Sequence, residues 1–577
     1  MIFRLPNLLA TRNGRLTAFC LLYVTEGIPL GFAATAVASQ LRRMGVGPAE
    51  IGAFVASFYL PWAFKWAFGP VIDVFRSQRF GHRRAWILAT QLLLSATLLM
   101  LIWVPLPQGL GLFTGILLVH NSFGAMQDVA IDALAVNSLD EQERGLANGL
   151  MFFGASVGQA VGGAGVLYLM PYIGFQGSFV FVALAILAVT GFVVLPMKEA
   201  MVARVAEAGA AAAAAVGGGW RTAVAEMREF AQQSFQSFLG SKPAFVSVFF
   251  ALLPMGAMSL SLALQTNLAV ELGMSDEAVA DLSLYSSIVS GVFMVIGGLI
   301  SDRLGHRRML AVYTVYTSIT VIYLAWVLWQ AGYVLPRAPG SPAIKPLIDQ
   351  LWIATLLFNV GMGLGYGTRN AVFMAVTNPR VAGTQFTAYM AMNNLAISFA
   401  ASWQGISSER LGYPLTLAID AGAGLLGLAL LPLMGSVAAS AANTGLCDAH
   451  AQGRARKMAR VLGLLCLGFV PFVYLHDPQG AWADIGATLY TLVFVAAALF
   501  LYAATLLQPL SAGLRSVCGW LALAVLAIYL RKFVPADFAA AATLLSALVA
   551  VLTGLLLILL GGRSWPGLQV AEGDGRA

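Results

Sequence analysis

Long apolar runs dominate the chain, and short polar segments separate them at nearly regular intervals. A helix needs about 20 apolar residues to cross the hydrocarbon core of a bilayer. By that length, the first set of six candidate spans covers 16–38, 48–72, 85–104, 109–136, 144–168 and 173–195. The second set covers 243–268, 277–301, 309–331, 349–377, 384–406 and 413–435, and four more runs lie at 459–475, 484–507, 516–530 and 537–561. The pattern predicts an all-α polytopic membrane protein with two six-helix bundles and about four extra C-terminal transmembrane helices.

The polar segments between these sets predict the domain boundaries. We expect an N-terminal bundle over 1–197, a cytoplasmic linker over 198–242 and a C-terminal bundle over 243–436. A basic loop over 437–458 then leads into the extra helices over 459–563 and a polar tail over 564–577. Within the linker, the segment from Trp220 to Leu239 carries an apolar stripe, which predicts a helix lying on the inner leaflet.

Composition places the chain in lipid. Hydrophobic residues make up 59% of the 577 positions and charged residues 10%, whereas soluble domains carry about 25% charged residues. The net charge of +7 comes from basic residues in short loops, which predicts a cytoplasmic N-terminus and gives no reason to expect nucleic-acid binding. The four cysteines are scattered, so we expect neither a disulfide framework nor a metal site.

A short polar motif follows the second span of each set. The first copy contains Gly69, Asp73, Gly81, Arg83 and Arg84, and the second contains Gly298, Asp302, Arg303, Gly305, Arg307 and Arg308. Two copies about 225 residues apart indicate a duplicated bundle, as in secondary transporters. We expect gating hairpins in which the first glycine allows close helix approach and the aspartate accepts from backbone amides or pairs with loop arginines.

Polar side chains recur along one stripe of the fourth span. His120, Asp128 and Asp132 are spaced by multiples of four residues, and Gln127 flanks Asp128. Ionisable groups at membrane depth are costly and normally face a cavity or a partner. We therefore expect substrate or proton binding at Gln127, Asp128 and Asp132, with a structural ion pair as the alternative.

Two further ionisable residues lie in the first and second spans. Glu26 lies in the middle of the first span beside Gly27 and Pro29, a setting that suits a group that binds and releases a proton. A hydrogen bond to a neighbouring helix is the alternative for Glu26. Lys65 either extends its ammonium to the inner interface or forms an ion pair with an acid such as Asp128.

Candidate residues also occur in the second set of spans. Arg369, in the tenth span, suits an anionic substrate group or a structural acid partner. Gln385, Asn393 and Asn394 begin and continue the eleventh span. Their amides can bind sugar hydroxyls and peptide groups, or join helices.

These features resemble the major facilitator superfamily and, within it, the AmpG-type muropeptide permeases and their acetyl-CoA-transporter relatives. The residues that carry the resemblance, over about 16–435, are Phe64-Lys65-Trp66, Pro70 and Asp73, Arg83 to Gln91, Gln127 to Ala133, Glu143-Arg144-Gly145 and Gly383 to Phe386. The resemblance implies proton-driven import of anhydro-muropeptides (GlcNAc-anhydroMurNAc peptides) across the bacterial inner membrane for cell-wall recycling. It further implies a central cavity lined by the first, fourth, seventh and tenth helices. We expect a monomer that binds a small sugar-peptide and uses the proton gradient without a cofactor.

Other functions remain open from the sequence. One is a permease of the same fold for another anionic solute, such as an acyl-CoA-like or sugar-peptide compound. Others are a membrane-embedded acyltransferase, using His120 or the loop at His476-Asp477, and a sensor whose C-terminal helices form the output module. Because no dense His/Asp/Glu cluster lies at a predicted water interface, we assign no catalytic residue and expect no enzyme activity.

Overall fold

The computed structural model describes residues 6–75, 77, 80–139, 144–199, 220–338, 340–377, 382–434, 447–475, 481–528 and 539–568. Within those ranges the regular structure is helical. The first helices are α1 (Arg12–Arg43), α2 (Pro48–Ala63), α3 (Phe68–Val74), α4 (His82–Leu101), α5 (Leu110–Ser138), α6 (Arg144–Ala160) and α7 (Val166–Val189). Next come α8 (Trp220–Gly240), α9 (Lys242–Leu252), α10 (Ala263–Glu271), α11 (Asp276–Leu304), α12 (His306–Gln330), α13 (Lys345–Val376), α14 (Ala382–Arg410) and α15 (Tyr413–Leu425). The last four are α16 (Ala451–Leu475), α17 (Ala481–Leu507), α18 (Ala512–Ala527) and α19 (Ala539–Gly562).

The helices are long and apolar enough for a polytopic membrane protein. In the described ranges, ten meet the length and hydropathy of a membrane span, or eleven if a bent pair counts as one span. One of the ten, Leu150–Val194, changes direction at Gly174, where φ is +72°. That single stretch therefore contains parts of two predicted spans. Among the C-terminal helices, α18 is a shorter apolar helix, whereas α16, α19 and a stretch of α17 meet the criterion. The predicted fold class is confirmed.

The chain divides into two compact units. The first comprises Met1–Met227, Ala251–Val372 and Met390–Ala429. The second comprises Arg228–Phe250, Phe373–Tyr389 and Leu430–Ala577, and it has its own apolar core. In the second unit, α16 and α19 approach closely, since a Cβ added to Gly463 would lie 2.6 Å from the carbonyl oxygen of Gly554. The sequence-based domain boundaries stay a prediction.

Two predicted spans are broken rather than continuous. The second span is interrupted after α2 ends at Ala63, and a 3₁₀ turn at Lys65–Ala67 connects it to α3. The seventh span is interrupted between α9 and α10, where Pro254 lacks a backbone N–H and Gly256 has a φ of +68°. Neither break was predicted from the sequence, because an apolar run gives the length of a span but not the direction of its backbone.

A glycine seam joins α1 to α6. A Cβ added to Gly27 would lie 2.0 Å from the carbonyl oxygen of Ala155, and one added to Gly158 would lie 2.3 Å from that of Val24. Gly154 meets the backbone of Cys20 equally closely. Only residues without a side chain allow this backbone contact, so the glycines of α6 let its backbone pack directly against that of α1.

Candidate substrate and coupling site

An acidic cluster forms where α1, α5 and the turn between α2 and α3 meet. Lys65 Nζ is 2.8 Å from Asp128 Oδ2, and both side chains are largely buried. Tyr23 donates its hydroxyl to Asp132 Oδ1 at 2.5 Å, and the same hydroxyl is 3.5 Å from Asp128 Oδ1. Glu26 is close enough for its charge to interact with Asp128, Asp132 and Lys65. The structure thus brings four of the predicted site residues together around Tyr23.

Local geometry explains this convergence. Asp128 and Asp132 are four residues apart on α5, and Tyr23 and Glu26 are three apart on α1, so each pair shares one helix face. Lys65 belongs to the turn at the break between α2 and α3, not to a regular helix. Tyr23 was missed from the sequence, although its place one turn before Glu26 was a usable signal.

The cluster holds more acidic than basic groups. Glu26, Asp128 and Asp132 supply three carboxyl groups, and Lys65 supplies one ammonium. Glu26 Oε1 is buried without a hydrogen-bond partner among the described residues. If all four groups were ionised, the cluster would carry two excess negative charges at membrane depth. Such a surplus favours binding of a proton or a cationic group.

Gln127 belongs to a separate hydrogen-bond network. Its Nε2 donates to Thr25 Oγ1 at 3.0 Å, and Gln91 Nε2 donates to the same oxygen at 3.2 Å. Thr190 in turn donates to Gln91 Oε1 at 2.7 Å. These buried contacts join α1, α4 and α5 to the segment after α7. They indicate that Gln127 holds helices together. The sequence alone did not distinguish this role from substrate binding.

Replacing Thr25 by valine is expected to destabilise the protein. The substitution keeps the shape but removes the shared acceptor of Gln91 and Gln127, and leaving a buried polar group unsatisfied costs about 1–3 kcal/mol. Thermal unfolding of the detergent-solubilised protein measures this, with Ser156→Ala as a control that removes a surface hydroxyl. Equal unfolding temperatures for Thr25→Val and the parent would contradict the network's structural role.

His120 lies in a helix interface. Its Nδ1 is 2.8 Å from Thr97 Oγ1 and 3.2 Å from the carbonyl oxygen of Leu94, and the side chain is fully buried between α4 and α5. The contacts therefore support a packing role for the histidine.

Arg369 satisfies one side of the break in the seventh span. Its Nη2 donates at 2.9 Å to the carbonyl oxygen of Leu253, just beyond the end of α9. On the other side, Asp420 Oδ2 accepts from the amides of Met258 and Ser259, both at 2.8 Å. The sequence did not predict a role for Asp420, because it did not predict the helix break whose amides Asp420 binds.

Aromatic rings connect Arg369 with the acidic cluster. Tyr366, one turn before Arg369, interacts with the charges of both Arg369 and Lys65. Its ring centroid is 6.2 Å from that of Phe152, which in turn is 6.5 Å from that of Tyr23. Phe152 and Tyr366 are each 43% exposed. The two half-exposed rings therefore lie between the cluster and Arg369.

The polar residues of the eleventh span make local contacts. Gln385 belongs to the second unit, where its Nε2 donates to the hydroxyl of Tyr389 at 3.1 Å. Asn393 Nδ2 is 4.0 Å from the sulfur of Met390, and Asn393 Oδ1 has no hydrogen-bond partner in the described ranges. Asn394 is half-buried. These contacts do not assign a ligand to any of the three.

The second glycine of each repeated motif has a positive φ. Gly81 has a φ of +90° and Gly305 a φ of +93°, and each glycine immediately precedes a helix. The expected close approach at Gly69 and Gly298 is not observed, since a Cβ at either would meet no described atom within 4 Å. Gly297 makes that approach instead, with its added Cβ 2.3 Å from the carbonyl oxygen of Leu364. A glycine motif alone does not say which glycine faces the neighbouring helix.

The first hairpin is capped by a residue that the sequence did not indicate. Glu199 accepts from the backbone amides of His82, Arg83 and Arg84 at 2.6, 2.7 and 2.7 Å. A carboxylate at a helix N-terminus is stabilised by free amides and the helix dipole. Arg84 Nε donates to the carbonyl oxygen of Val194 at 2.9 Å, which ties α4 to the same segment.

The remaining hairpin residues are only partly described. The side chains of Asp73 and Asp302 lie outside the described part, so their clasp stays a prediction. Arg303 and Arg308 are exposed, and Arg307 is half-buried.

The two helix sets of the first unit meet at a buried ion pair. Arg42 Nε is 2.8 Å from Glu271 Oε1, and the two side chains are 5% and 0% exposed. Glu271 also accepts from Tyr413 Oη at 2.7 Å, and from Tyr333 Oη and the Arg337 amide at 3.1 Å. Burial and the Glu271 carboxylate raise the pKa of Tyr333, which keeps its hydroxyl protonated as a donor.

More contacts surround this pair and form what we call the closed end. Arg43 Nε is 2.7 Å from Asp276 Oδ1, the Ala49 amide donates to Glu409 Oε1 at 2.9 Å, and Ser398 donates to the carbonyl oxygen of Ala56 at 2.7 Å. Because α1 rises about 1.5 Å per residue, Arg42 lies about 45 Å from the start of the helix. The first hairpin is at that start, because Asn7 there contacts Lys198, the neighbour of Glu199.

No metal site accompanies these features in the described residues, which contain no suitable group of three or more His, Cys, Asp or Glu side chains.

Comparison with known proteins agrees with the helical architecture. The structure resembles the inward-open xylose transporter XylE from Escherichia coli, with a TM-score of 0.52 and 13% identity over 72% of this chain and 95% of the other. A Rickettsia conorii protein named as an AmpG transporter is 22% identical over 70% of this chain and 92% of its own. The Escherichia coli anhydromuropeptide permease is 26% identical over 27% of this chain and 31% of its own. The profile of the Major Facilitator Superfamily matches residues 16–401. This match covers more than half of the sequence, and the chain therefore belongs to the Major Facilitator Superfamily, a family of transporters and not of enzymes.

Proposed function

We propose that the protein imports anhydro-muropeptides across the bacterial inner membrane by proton-coupled alternating access, with its N-terminus in the cytoplasm. The observation that carries the proposal is the acidic cluster, in which three carboxyl groups lie near one lysine within the membrane-spanning helices. Relatives named as an AmpG transporter and as an anhydromuropeptide permease support the choice of substrate. A proton that moves down its gradient into the cell would bind to the cluster and cross the membrane together with the solute.

In this proposal the acidic residues bind the proton and the basic residue Arg369 binds the substrate. Glu26 and Asp132 exchange the proton, while Asp128 holds Lys65 at 2.8 Å. Arg369 is the cation that meets peptide carboxylates of the substrate. The half-exposed rings of Phe152 and Tyr366 offer apolar faces to its sugar rings.

Proton binding and substrate binding are coupled through this shared space. Adding a proton removes one of the excess negative charges near Lys65 and so weakens repulsion of an anionic substrate. Releasing the proton restores that repulsion and favours release of the solute. This electrostatic link needs no direct contact between the two ligands.

Replacing Glu26 by glutamine tests the coupling. The amide resembles the protonated carboxyl, so we expect loss of gradient-driven accumulation but retained exchange of labelled anhydro-muropeptide across proteoliposome membranes. Glu50→Gln, on the exposed first turn of α2, is the matched control and should accumulate substrate normally. Accumulation by Glu26→Gln at the parent's level would move the coupling site to another acid.

The alternative candidate is a permease for a different anionic solute, and Arg369 is the observation that favours it. A panel of labelled anhydro-muropeptides, free amino sugars, short peptides and acyl-CoA compounds separates the two. Import of acyl-CoA without import of any muropeptide would select the alternative.

A further inference from the structure

One end of the C-terminal helices gathers arginines from three separate segments. Arg456 and Arg460 lie on α16, Arg515 on α18, and Arg563 directly follows α19. Arg456 Nε donates to the carbonyl oxygen of Arg563 at 3.0 Å. A Cβ added to Gly561 would lie 2.7 Å from Arg460 Cγ. Gln508 Nε2, in the turn that leads into α18, donates to the carbonyl oxygen of Leu560 at 3.1 Å, so the start of α18 with Arg515 lies at the same end as Arg563. The four residues thus share one end of the second unit.

These arginines present their charge outward. Arg460, Arg515 and Arg563 are exposed, and Lys457 beside them is exposed as well. Asp448, an acidic residue at this end, pairs with Arg454 at 2.8 Å instead. Like charges gathered at one end of a bundle repel one another, and a bound anion would relieve that repulsion.

Exposed apolar side chains lie beside the arginine cluster. Arg460 lies two turns inside α16, and the next exposed side chains are Val461, Leu464 and Leu465, at 41%, 61% and 43%. The helix α19, which packs against α16, also exposes Leu555 and Leu559, at 50% and 66%. The amphipathic helix α8 also contacts this end, where the Asp448 amide donates to the carbonyl oxygen of Gly240 at 2.7 Å. Charge beside exposed apolar surface matches a lipid, with its head group next to its acyl chains.

We propose that Arg456, Arg460, Arg515 and Arg563 bind the phosphate head group of an anionic phospholipid, whose acyl chains lie along α16 and α19. Guanidinium groups recognise phosphate oxygens through paired hydrogen bonds, and basic pockets between membrane helices bind such head groups. The site is independent of the transported solute, and it gives the C-terminal helices a function of their own as a lipid-binding module.

The test measures lipid binding to the full-length protein in detergent. Phosphatidylglycerol, cardiolipin, phosphatidylethanolamine and inorganic phosphate are added separately, and bound lipid is counted by native mass spectrometry while unfolding temperature is recorded. We expect the two anionic lipids to bind and stabilise, and phosphatidylethanolamine and free phosphate to do neither. Equal effects from phosphatidylethanolamine would overturn the head-group assignment, and equal effects from free phosphate would overturn the lipid assignment.

Variants locate the site. Arg460→Gln with Arg563→Gln is expected to bind phosphatidylglycerol about 30-fold more weakly, from the loss of two basic residues near an anionic lipid. Arg303→Gln with Arg308→Gln removes the same charge from the second hairpin and should leave affinity unchanged. If the first pair does not fold, Arg460→Lys with Arg563→Lys keeps the charge and should still bind several-fold more weakly. Parent affinity in the Arg460 and Arg563 variants refutes the site.

Discussion

Asp128→Asn is expected to abolish transport while the protein still inserts into the membrane. The substitution removes the charge that faces Lys65 Nζ at 2.8 Å and leaves a buried ammonium without its counter-ion. Breaking a buried pair from one side costs about 3 kcal/mol or more, so a lower unfolding temperature should accompany the loss of uptake. Uptake of labelled anhydro-muropeptide into proteoliposomes and thermal unfolding measure the two effects.

A double variant separates charge balance from function. Asp128→Asn with Lys65→Met removes both members of the pair and should recover most of the lost stability, since two neutral groups need no counter-ion. It should not recover transport, because the cluster then lacks two of its charged groups. Asp349→Asn, an exposed acid on α13, should match the parent in both assays. Full uptake by Asp128→Asn would remove this residue from the mechanism.

Glu271→Gln is expected to open the closed end. The carboxylate holds Arg42 at 2.8 Å and accepts three further hydrogen bonds, and both charged side chains are almost fully buried. Loss of the charge should favour the opposite conformation by about 3 kcal/mol, or roughly 100-fold in population. A cysteine replacing buried Ser39 should then react faster with an impermeant maleimide added from the closed-end side.

The neighbouring ion pair supplies the control. Arg43 and Asp276 lie at the same end, but their side chains are 29% and 34% exposed. Exposed pairs contribute at most about 1 kcal/mol, so Asp276→Asn should change labelling of the Ser39 cysteine only slightly. Equal labelling of the parent and Glu271→Gln would show that the buried pair does not hold this end shut.

The sequence predicted the features that depend on local pattern. Apolar run lengths identified the helices, and four-residue spacing placed Asp128 and Asp132 on one face of α5. The repeated motif likewise pointed to two equivalent turns, and Gly81 and Gly305 share nearly the same φ. Each of these inferences needs only residues within a few turns of one another.

The missed features depend on contacts between distant segments. Glu271 is 229 residues from Arg42, and Glu199 is 117 residues from His82. In the sequence each acid is an ordinary charge at the end of an apolar run. Pro254 was a visible signal for the break in the seventh span, but the apolar residues around it favoured a continuous helix. Asp420 gains its role only because that break exposes two amides.

The glycine seam between α1 and α6 has a consequence for the transport cycle. Backbone atoms in direct contact leave no room for one helix to slide or rotate against the other. Glu26 and Phe152 must therefore travel as one rigid body, and the proton site cannot be exposed by motion of α1 alone. Spin labels on these two helices should keep a constant separation throughout turnover. The distance between Phe152 and Tyr366, whose ring centroids are 6.2 Å apart in this structure, should change instead. It changes because the second helix set moves relative to α1 and α6.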